Sequence, residues 1–482
     1  METNNENPKF SSLKDVVSKN TLKALREWGF EHMTEVQAEV IPKALDGADV
    51  VATAKTGSGK TLAFLIPIVE AVCKHLHNEV QGTLCIIISP TRELAMQTFA
   101  VLQDLAAYHE NITSALVIGG DSRQKQANIL SRGAHIVVAT PGRLFDHMQT
   151  KYFKYKQVSC LVLDEADKIL QYGFEEDVNQ IINRLPKNRQ TMLFSATQSE
   201  KTQALTMTAM KESVDFINTN QDNTEATVEG LKQGYVICKT EDRLWWLFKV
   251  LKKTRKQKVM VFFSSCKSVE FHHEFFGKHC NAPVLCIHGK MNQVHRTHTM
   301  TQFYEAQKGA LFCTDVAARG LDIPAVDWIV QFDPPGDTSE YIHRVGRTAR
   351  GLGAVGNAVL LLRPEEKEFL EHLKEAKVFL ELYKMWDDFD NLQPMLQEAV
   401  EKDAEFHKLA LEAYEGFIKA FEVRRLKTVF NIMTLDLVAL AKSFGLKDKP
   451  EVDIRVGFKK KHRPRKRAVA MLEESSSKSI KL

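Results

Sequence analysis

Residues 49–61 read DVVATAKTGSGKT, and the next eleven, 62–72, read LAFLIPIVEAV. The first six are small or β-branched and predict a strand; the last eleven carry apolar residues at helical spacing. Between them lies a glycine-rich turn. A turn of this kind opening a helix aims backbone N–H groups at a bound phosphate. Ala54, Lys55, Thr56, Gly57, Ser58 and Gly59 then form the loop. Lys60 brings a cation to the β- and γ-phosphates, and the Thr61 hydroxyl can ligate Mg²⁺. Ala54 stands where the general pattern has its first glycine. The plainer alternative, a flexible Gly/Ser loop with an exposed lysine, is disfavoured by the strand before and the helix after. Alone, the segment says only that nucleotide phosphates bind.

Working outward, LCIIIS (84–89), AHIVVAT (134–140) and VSCLVLD (158–164) are further short apolar runs. Runs apolar on both faces are buried on both faces, the mark of a parallel sheet covered by helices. Residues 1–217 therefore form one α/β domain. The polar segment 218–230 (NTNQDNTEATVEG) has no periodicity and predicts a linker. The rhythm restarts over 231–363 with YVIC (235–238), KVMVFFS (258–264), APVLCI (282–287), GALFCT (309–314), VDWIVQF (326–332) and AVLLL (358–362). The fold class is α/β: two tandem domains with parallel sheets flanked by helices, plus a mainly helical extension over 364–458. In that extension Leu396, Val400, Asp403, Phe406, Leu409, Ala410, Tyr414 and Phe417 trace one helical face with a single polar interruption. No residue-level repeat between the two halves is evident.

The chain has 482 residues, 44% of them apolar, with 65 Lys+Arg against 61 Asp+Glu, an ordinary globular composition. Its eight cysteines (Cys73, Cys85, Cys160, Cys238, Cys266, Cys280, Cys286, Cys313) are scattered without a C-x-x-C pair, which favours reduced, buried thiols over a disulfide framework or a zinc site. No apolar run has the length of a membrane span, and the start lacks a signal-peptide pattern. The run 459–467 (KKKHRPRKR) places four Lys and three Arg in nine residues, more charge than the chain's net +4. Residues 459–482 form a basic tail with a low-complexity end that predicts disorder.

Two further constellations carry chemistry. Asp164-Glu165-Ala166-Asp167 closes the strand VSCLVL, where open α/β sheets place their ligands. Asp164 suits Mg²⁺, and Glu165 suits orienting and deprotonating an attacking water. A solvated acidic turn is the alternative, weakened by the phosphate loop about one hundred residues upstream in the same sheet. In the second domain His343 to Arg350 reads HRVGRTAR. If helical, His343, Arg347 and Arg350 share one face, and two guanidiniums there suit the shifting charge of a transferring phosphate. A basic face for solvent or nucleic acid is the competing reading.

Taken in order, these motifs resemble the DEAD-box RNA helicases, a family with two RecA-like domains, over roughly residues 10–363. Gly29-Phe30 with Thr34 and Gln37 is similar to the adenine-reading motif; the Gln37 amide suits the adenine edge, and Phe30 and Phe10 are candidates for stacking or for core. Pro90-Thr91-Arg92, Gly119-Gly120 and Thr140-Pro141-Gly142-Arg143 resemble RNA-contacting elements of the first domain. Gln293, Arg296 and Thr314 match those of the second. Ser195 and Thr197, with His343, resemble coupling elements, and Asp322 is expected to reach the ribose. The resemblance implies ATP and Mg²⁺ as cofactors and a single RNA strand held by its phosphates.

Thr34–Gln37, Phe263–Cys266, Val326–Pro335 and Leu426–Gly445 are similar to a nucleolar subgroup that assembles the large ribosomal subunit, including the helicase associated with the Set1 methyltransferase. That resemblance implies pre-rRNA and pre-ribosomal particle proteins as partners, a nuclear and nucleolar location, no membrane and no obligate oligomer. The basic tail suits nuclear import and non-specific RNA binding. Two other classes remain open: an ATP-latched RNA clamp with little turnover, and a DNA-directed translocating motor.

Overall fold

The computed structural model describes residues 7–55, 57–76, 82–197, 200–219, 227, 230–282, 284–315, 326–349, 354–383 and 392–452. The first sheet has seven strands: β1 (Asp49–Thr53), β2 (Cys85–Ile88), β3 (Ser114–Val117), β4 (Ile136–Ala139), β5 (Cys160–Leu163), β6 (Gln190–Ser195) and β7 (Val214–Asn218). The second has β8 (Leu231–Ile237), β9 (Lys258–Phe262), β10 (Val284–Ile287), β11 (Gly309–Cys313), β12 (Trp328–Gln331), β13 (Gly356–Leu362) and β14 (Glu381–Leu382). Every ladder is parallel. The strand orders are β3-β4-β2-β5-β6-β1-β7 and β10-β11-β9-β12-β13-β8-β14. The second is the first with every strand advanced by seven places, so the architecture repeats where the residues do not. Asn218 is the last residue of β7, one position into the segment read as linker; most of that segment lies outside the described residues, as does the basic run 459–467.

Helices on both faces divide the first core into two layers. One gathers Val50, Ala52, Ile87, Val138 and Phe194 with the helix Lys60–Leu76; the other gathers Val51, Ile86, Val137, Leu161 and Leu193 with Leu144 and Ile181. Alternate residues of one strand thus feed opposite cores, which is why these strands read as unbroken apolar runs.

The extension lends β14 to the second sheet, so that sheet runs past the expected domain end at 363; beyond it the described residues are mainly helical but do not form one helix. Gln393–Lys402 and Ala404–Glu422 are separate, and Asp403 between them has φ −115° while its carboxylate accepts from the Glu405 and Phe406 N–H groups. The polar interruption of the apolar face is therefore an N-cap. The long helix packs on Cys266–His279, with Phe406 stacked on Phe271 at 5.0 Å and 2° between ring planes. Phe444 meets Phe271 edge-on at 5.3 Å. Arg363 and Glu366 are fully buried and paired at 2.6 Å, with the guanidinium over Phe417 and Phe421.

In the second sheet, Arg243 opens the helix after β8 as Lys60 opens the helix after β1. It is ion-paired at 2.9 Å with Asp333, a buried residue just past β12. The extension closes over this pair: Phe417, Leu440 and Phe444 leave a gap of about 10 Å³ beside Thr240, Arg243 and Asp333.

Phe406→Ala removes one ring of the stack, and core truncations of this kind cost about 3–5 kcal/mol. Limited proteolysis is expected to release the extension at lower urea than in the parent, with the first sheet's unfolding unchanged.

Candidate active site and nucleic-acid cleft

The phosphate loop joins β1 to the helix Lys60–Leu76. Gly57 and Gly59 take φ values of +80° and +89°. At Gly59 a Cβ would also lie 2.5 Å from Gln37 Nε2, so glycine is required both by conformation and by space. Gln37 is buried; its Nε2 donates to the Gly59 carbonyl at 3.0 Å and its Oε1 accepts from the Thr34 N–H at 2.9 Å. The expected adenine reader thus also braces the loop. Lys55 Nζ donates to the Thr227 carbonyl at 2.7 Å. Ala54 N–H donates to the Ser195 carbonyl at 3.1 Å, tying the loop to the end of β6. Ser58 Oγ, within this loop, is buried without a hydrogen-bond partner among the described residues.

Lys60 Nζ donates to the Ala54 carbonyl at 2.8 Å. Burial pushes its pKa down, while Asp164, Glu165 and Asp167 pull it up and nearby Arg347 opposes them. The Asp164 carboxyl is pushed up to about 7, first by burial and then by the Glu165 charge, with Lys60 counteracting. Glu165 is buried and holds φ +47°, a conformation uncommon outside glycine and concentrated at functional sites. Thr61 follows Lys60 in the first turn. A buried carboxyl whose burial and neighbouring Glu165 charge both disfavour its ionised form fits a divalent cation shared with phosphate oxygens, and Thr61 and Asp164 are the residues that would hold it.

Asp167 joins the two sheets. Its Oδ2 accepts from Thr197 Oγ1 at 3.4 Å and from His343 Nε2 at 3.1 Å. Burial raises its pKa, but the His343 hydrogen bond and the Lys168 and Lys60 charges hold it well below the usual carboxylate range. His343 is held below its ordinary value by burial and by Lys168, so the neutral ring donates. Ser195 Oγ donates to the Thr197 carbonyl at 2.7 Å, fixing that turn. Lys168 Nζ reaches Ser339 Oγ across the same junction at 3.4 Å.

His343 and Arg347 do not share a helix. The helix Thr338–Val345 ends at Gly346, and the Arg347 and Thr348 N–H groups bond three residues back, to Arg344 and Val345. Arg347 is buried in that turn, its Nε donating to the His343 carbonyl at 3.4 Å. Arg344 anchors the helix instead, pairing with both Asp315 oxygens at 2.6 and 2.7 Å. Thr56, Asp322 and Arg350 lie outside the described residues.

Phe10 is 3% exposed within the first core and is not available for stacking. Phe30 is 47% exposed, edge-on to Trp28 at 6.4 Å. The core alternative applies to Phe10 and not to Phe30.

A cleft of about 420 Å³ runs between the sheets, lined by Pro90, Thr91, Arg92, Gly119, Thr140, Gly142 and Arg143 on one side and by Gly289, Met291 and Arg296 on the other. Three helix N-termini meet there: Arg92–Ala106, Pro141–Met148 and Gln293–Glu305. Such ends present free N–H groups and favour anions. Arg92 lies over Gly119-Gly120, where a Cβ on Gly120 (φ +84°) would fall within its guanidinium. Arg143 donates to the Asp121 carbonyl and to Gln126 Oε1 at 3.1 and 2.8 Å. Arg296 Nη2 lies 2.6 Å from Glu93, which also accepts from Gln293 Nε2 at 3.4 Å. Thr314 Oγ1 and Gln293 Oε1 are buried without partners among the described residues. Tyr172 and Phe174, which the motifs of the sequence did not include, also line this cleft. Only the aromatics of QYGF (171–174) offered a signal.

Comparison with known proteins gives this arrangement its family. A model described as DEAD/DEAH box helicase matches residues 34–205, and one described as helicase conserved C-terminal domain matches 242–351. The probable ATP-dependent RNA helicase pitchoune of Drosophila melanogaster is 53% identical over 460 residues, 95% of this chain and 67% of that protein. The chain belongs to the DEAD-box ATP-dependent RNA helicases. ATP-dependent RNA helicase DDX18 of Homo sapiens is 52% identical over 453 residues, 94% of this chain and 67% of its own length. Residues 403–452 match a model described as ATP-dependent rRNA helicase SPB4-like, C-terminal extension. Among solved structures, the DEAD-box helicase Mss116 bound to single-stranded RNA and UDP-BeF superposes with a TM-score of 0.83 at 30% identity, covering 91% of this chain and 92% of that one. As a DEAD-box helicase, this chain is an RNA-dependent ATPase. Among the described residues no helix is long and apolar enough to cross a membrane.

Two outcomes follow from the geometry. An Asp164 pKa raised above its unfolded value means that ionising the folded protein costs stability, increasingly from about pH 4 to 7. Asp164→Asn is expected to melt above the parent at pH 8, with the gap narrowing toward pH 5, while ATPase is lost. Gly120→Ala is expected to displace Arg92 and raise the RNA concentration for half-maximal ATPase about tenfold, at a stability cost of about 1 kcal/mol.

Proposed function

We propose that this helicase locally unwinds or remodels RNA duplexes and RNA–protein complexes during pre-rRNA processing and large-subunit assembly, in the nucleolus. One observation carries the RNA-remodelling reading: a cleft with three helix N-termini is lined by residues of both domains. The match of the extension to an rRNA-helicase model supports the ribosomal assignment. The basic tail suits nuclear import and an added RNA contact, and pre-ribosomal particle proteins are the partners this setting implies.

In the proposed cycle ATP enters through Gln37 and the 54–61 loop. Lys60 faces the phosphates, and a Mg²⁺ ion held by Thr61 and Asp164 would screen their charge. Glu165 positions the attacking water and takes its proton. Closure brings Arg347 and Arg350 to the γ-phosphate while Asp322 meets the ribose. The same movement completes the RNA groove, with Arg92, Arg143, Gln293, Arg296 and Thr314 on a strand bent away from its partner. Because closure orders two units, it is populated when both ligands contribute contacts. Phosphate loss removes the second unit's contacts, and Ser195, Thr197 and His343 transmit the change through Asp167.

ATP hydrolysis by the full chain tests this reading, with no nucleic acid, with single-stranded RNA and with matched DNA. RNA is expected to stimulate turnover and DNA to do so far less, and Glu165→Gln to lower the RNA-stimulated rate by about 10²-fold or more. RNA binding without turnover in the parent would favour an ATP-latched clamp, and equal stimulation by DNA would remove the RNA assignment. Arg347→Ala is expected to cut kcat by about 10³-fold with ATP affinity nearly unchanged, separable by nucleotide titration under non-turnover conditions.

A further inference from the structure

The helicase cleft occupies the carboxyl ends of the strands. At the opposite edge of the second sheet, where β9, β10 and β11 begin, a separate groove of about 460 Å³ opens. That is within the range of pockets holding a small ligand or a few side chains (~300–1,000 Å³). Its floor is apolar, formed by Phe248, Leu251, Val259, Cys280 and Ala282. Phe248 and Ala282 are half-buried, so apolar surface stays open to solvent.

The rim carries one sign of charge. Lys252, Arg255 and Lys308 stand at the mouth, all exposed, and no Asp or Glu is among the lining residues. Lys252 and Arg255 belong to the run KKTRKQK (252–258), five cations in seven residues. Lys258 turns away from the rim, with Nζ donating to the Tyr304 carbonyl at 2.9 Å. A nucleic-acid strand would be served by stacked aromatic faces along a basic track; this floor is concave, mainly aliphatic and holds one ring. An apolar pocket inside a cationic rim complements an apolar anchor flanked by carboxylates, and repels a basic segment.

We propose that this groove docks a partner protein through an extended acidic segment. One or two large apolar side chains of that segment fill the floor, and its Asp or Glu side chains meet Lys252, Arg255 and Lys308. Lying on the edge opposite the cleft, the docked segment leaves RNA and nucleotide free to bind.

Fluorescence anisotropy with the full chain tests the proposal, using labelled twelve-residue probes that carry Leu and Phe three residues apart. One probe has this core flanked by Glu, one has it flanked by Lys, and one has Leu and Phe replaced by Ser in the Glu setting. The Glu-flanked probe is expected to bind at least tenfold more tightly than either other probe. It is expected to slow amide exchange over 251–259 and to persist with RNA bound. Charge reversal in K252E/R255E/K308E is expected to weaken it at least tenfold, with RNA-stimulated ATPase at the parent level. Binding within twofold of the parent in that variant, or an undiminished Ser probe, overturns the proposal. Displacement of the probe by decauridylate with protection of the same amides would likewise overturn it, making the groove a nucleic-acid arm.

Discussion

The Asp167 carboxylate is the point on which the arrangement of the two sheets turns. A single buried oxygen accepts from Thr197 in the first unit and His343 in the second. Thr197 is held by Ser195, and the Ser195 carbonyl receives the Ala54 N–H. The phosphate loop, the ends of β5 and β6 and the second unit therefore lie on one chain of hydrogen bonds. Leaving a buried charged acceptor without its donor costs about 1–3 kcal/mol or more, because its desolvation is no longer offset. A shift at the loop is thus communicated to the junction by bonds that cannot be lost cheaply.

What the sequence displayed was whatever short-range patterning controls. β1, β2, β4 and β5 read as strands because both faces of each are buried. β7 did not, being an edge strand with one buried residue in five. β6 begins Gln190-Thr191, and only the fold shows that Thr191 is satisfied by Asp49 and by the Ala209 carbonyl. The loop and the Asp164–Asp167 cluster were legible as local motifs. Their cross-sheet partners were not: Glu93 meets Gln293 and Asp167 meets His343 across separations of 200 and 176 residues. The shared face of His343 and Arg347 failed because Gly346 ends the helix between them.

The extension shows how one polar residue can be misread by periodicity. Asp403 falls on the apolar stripe, yet it caps one helix and breaks the chain away from another. That break lets Phe406 lie flat on Phe271 while Phe417 and Phe421 cover the buried Arg363. The same region supplies Phe444 and Leu440 to the roof above Arg243 and Asp333.

That roof gives the repeated strand order a direction. A cation after the first strand of such a sheet can answer a triphosphate only while its charge remains unspent. Lys60 faces a carboxyl whose pKa is pushed up to about 7, an unsettled balance of charge. Arg243 is neutralised permanently by Asp333 under an aromatic lid. One geometry thus occurs twice in the chain, once as a sensor and once as a rivet. The position in the second sheet that corresponds to Lys60 is thereby closed to a phosphate, so the chain repeats the strand order without repeating the site.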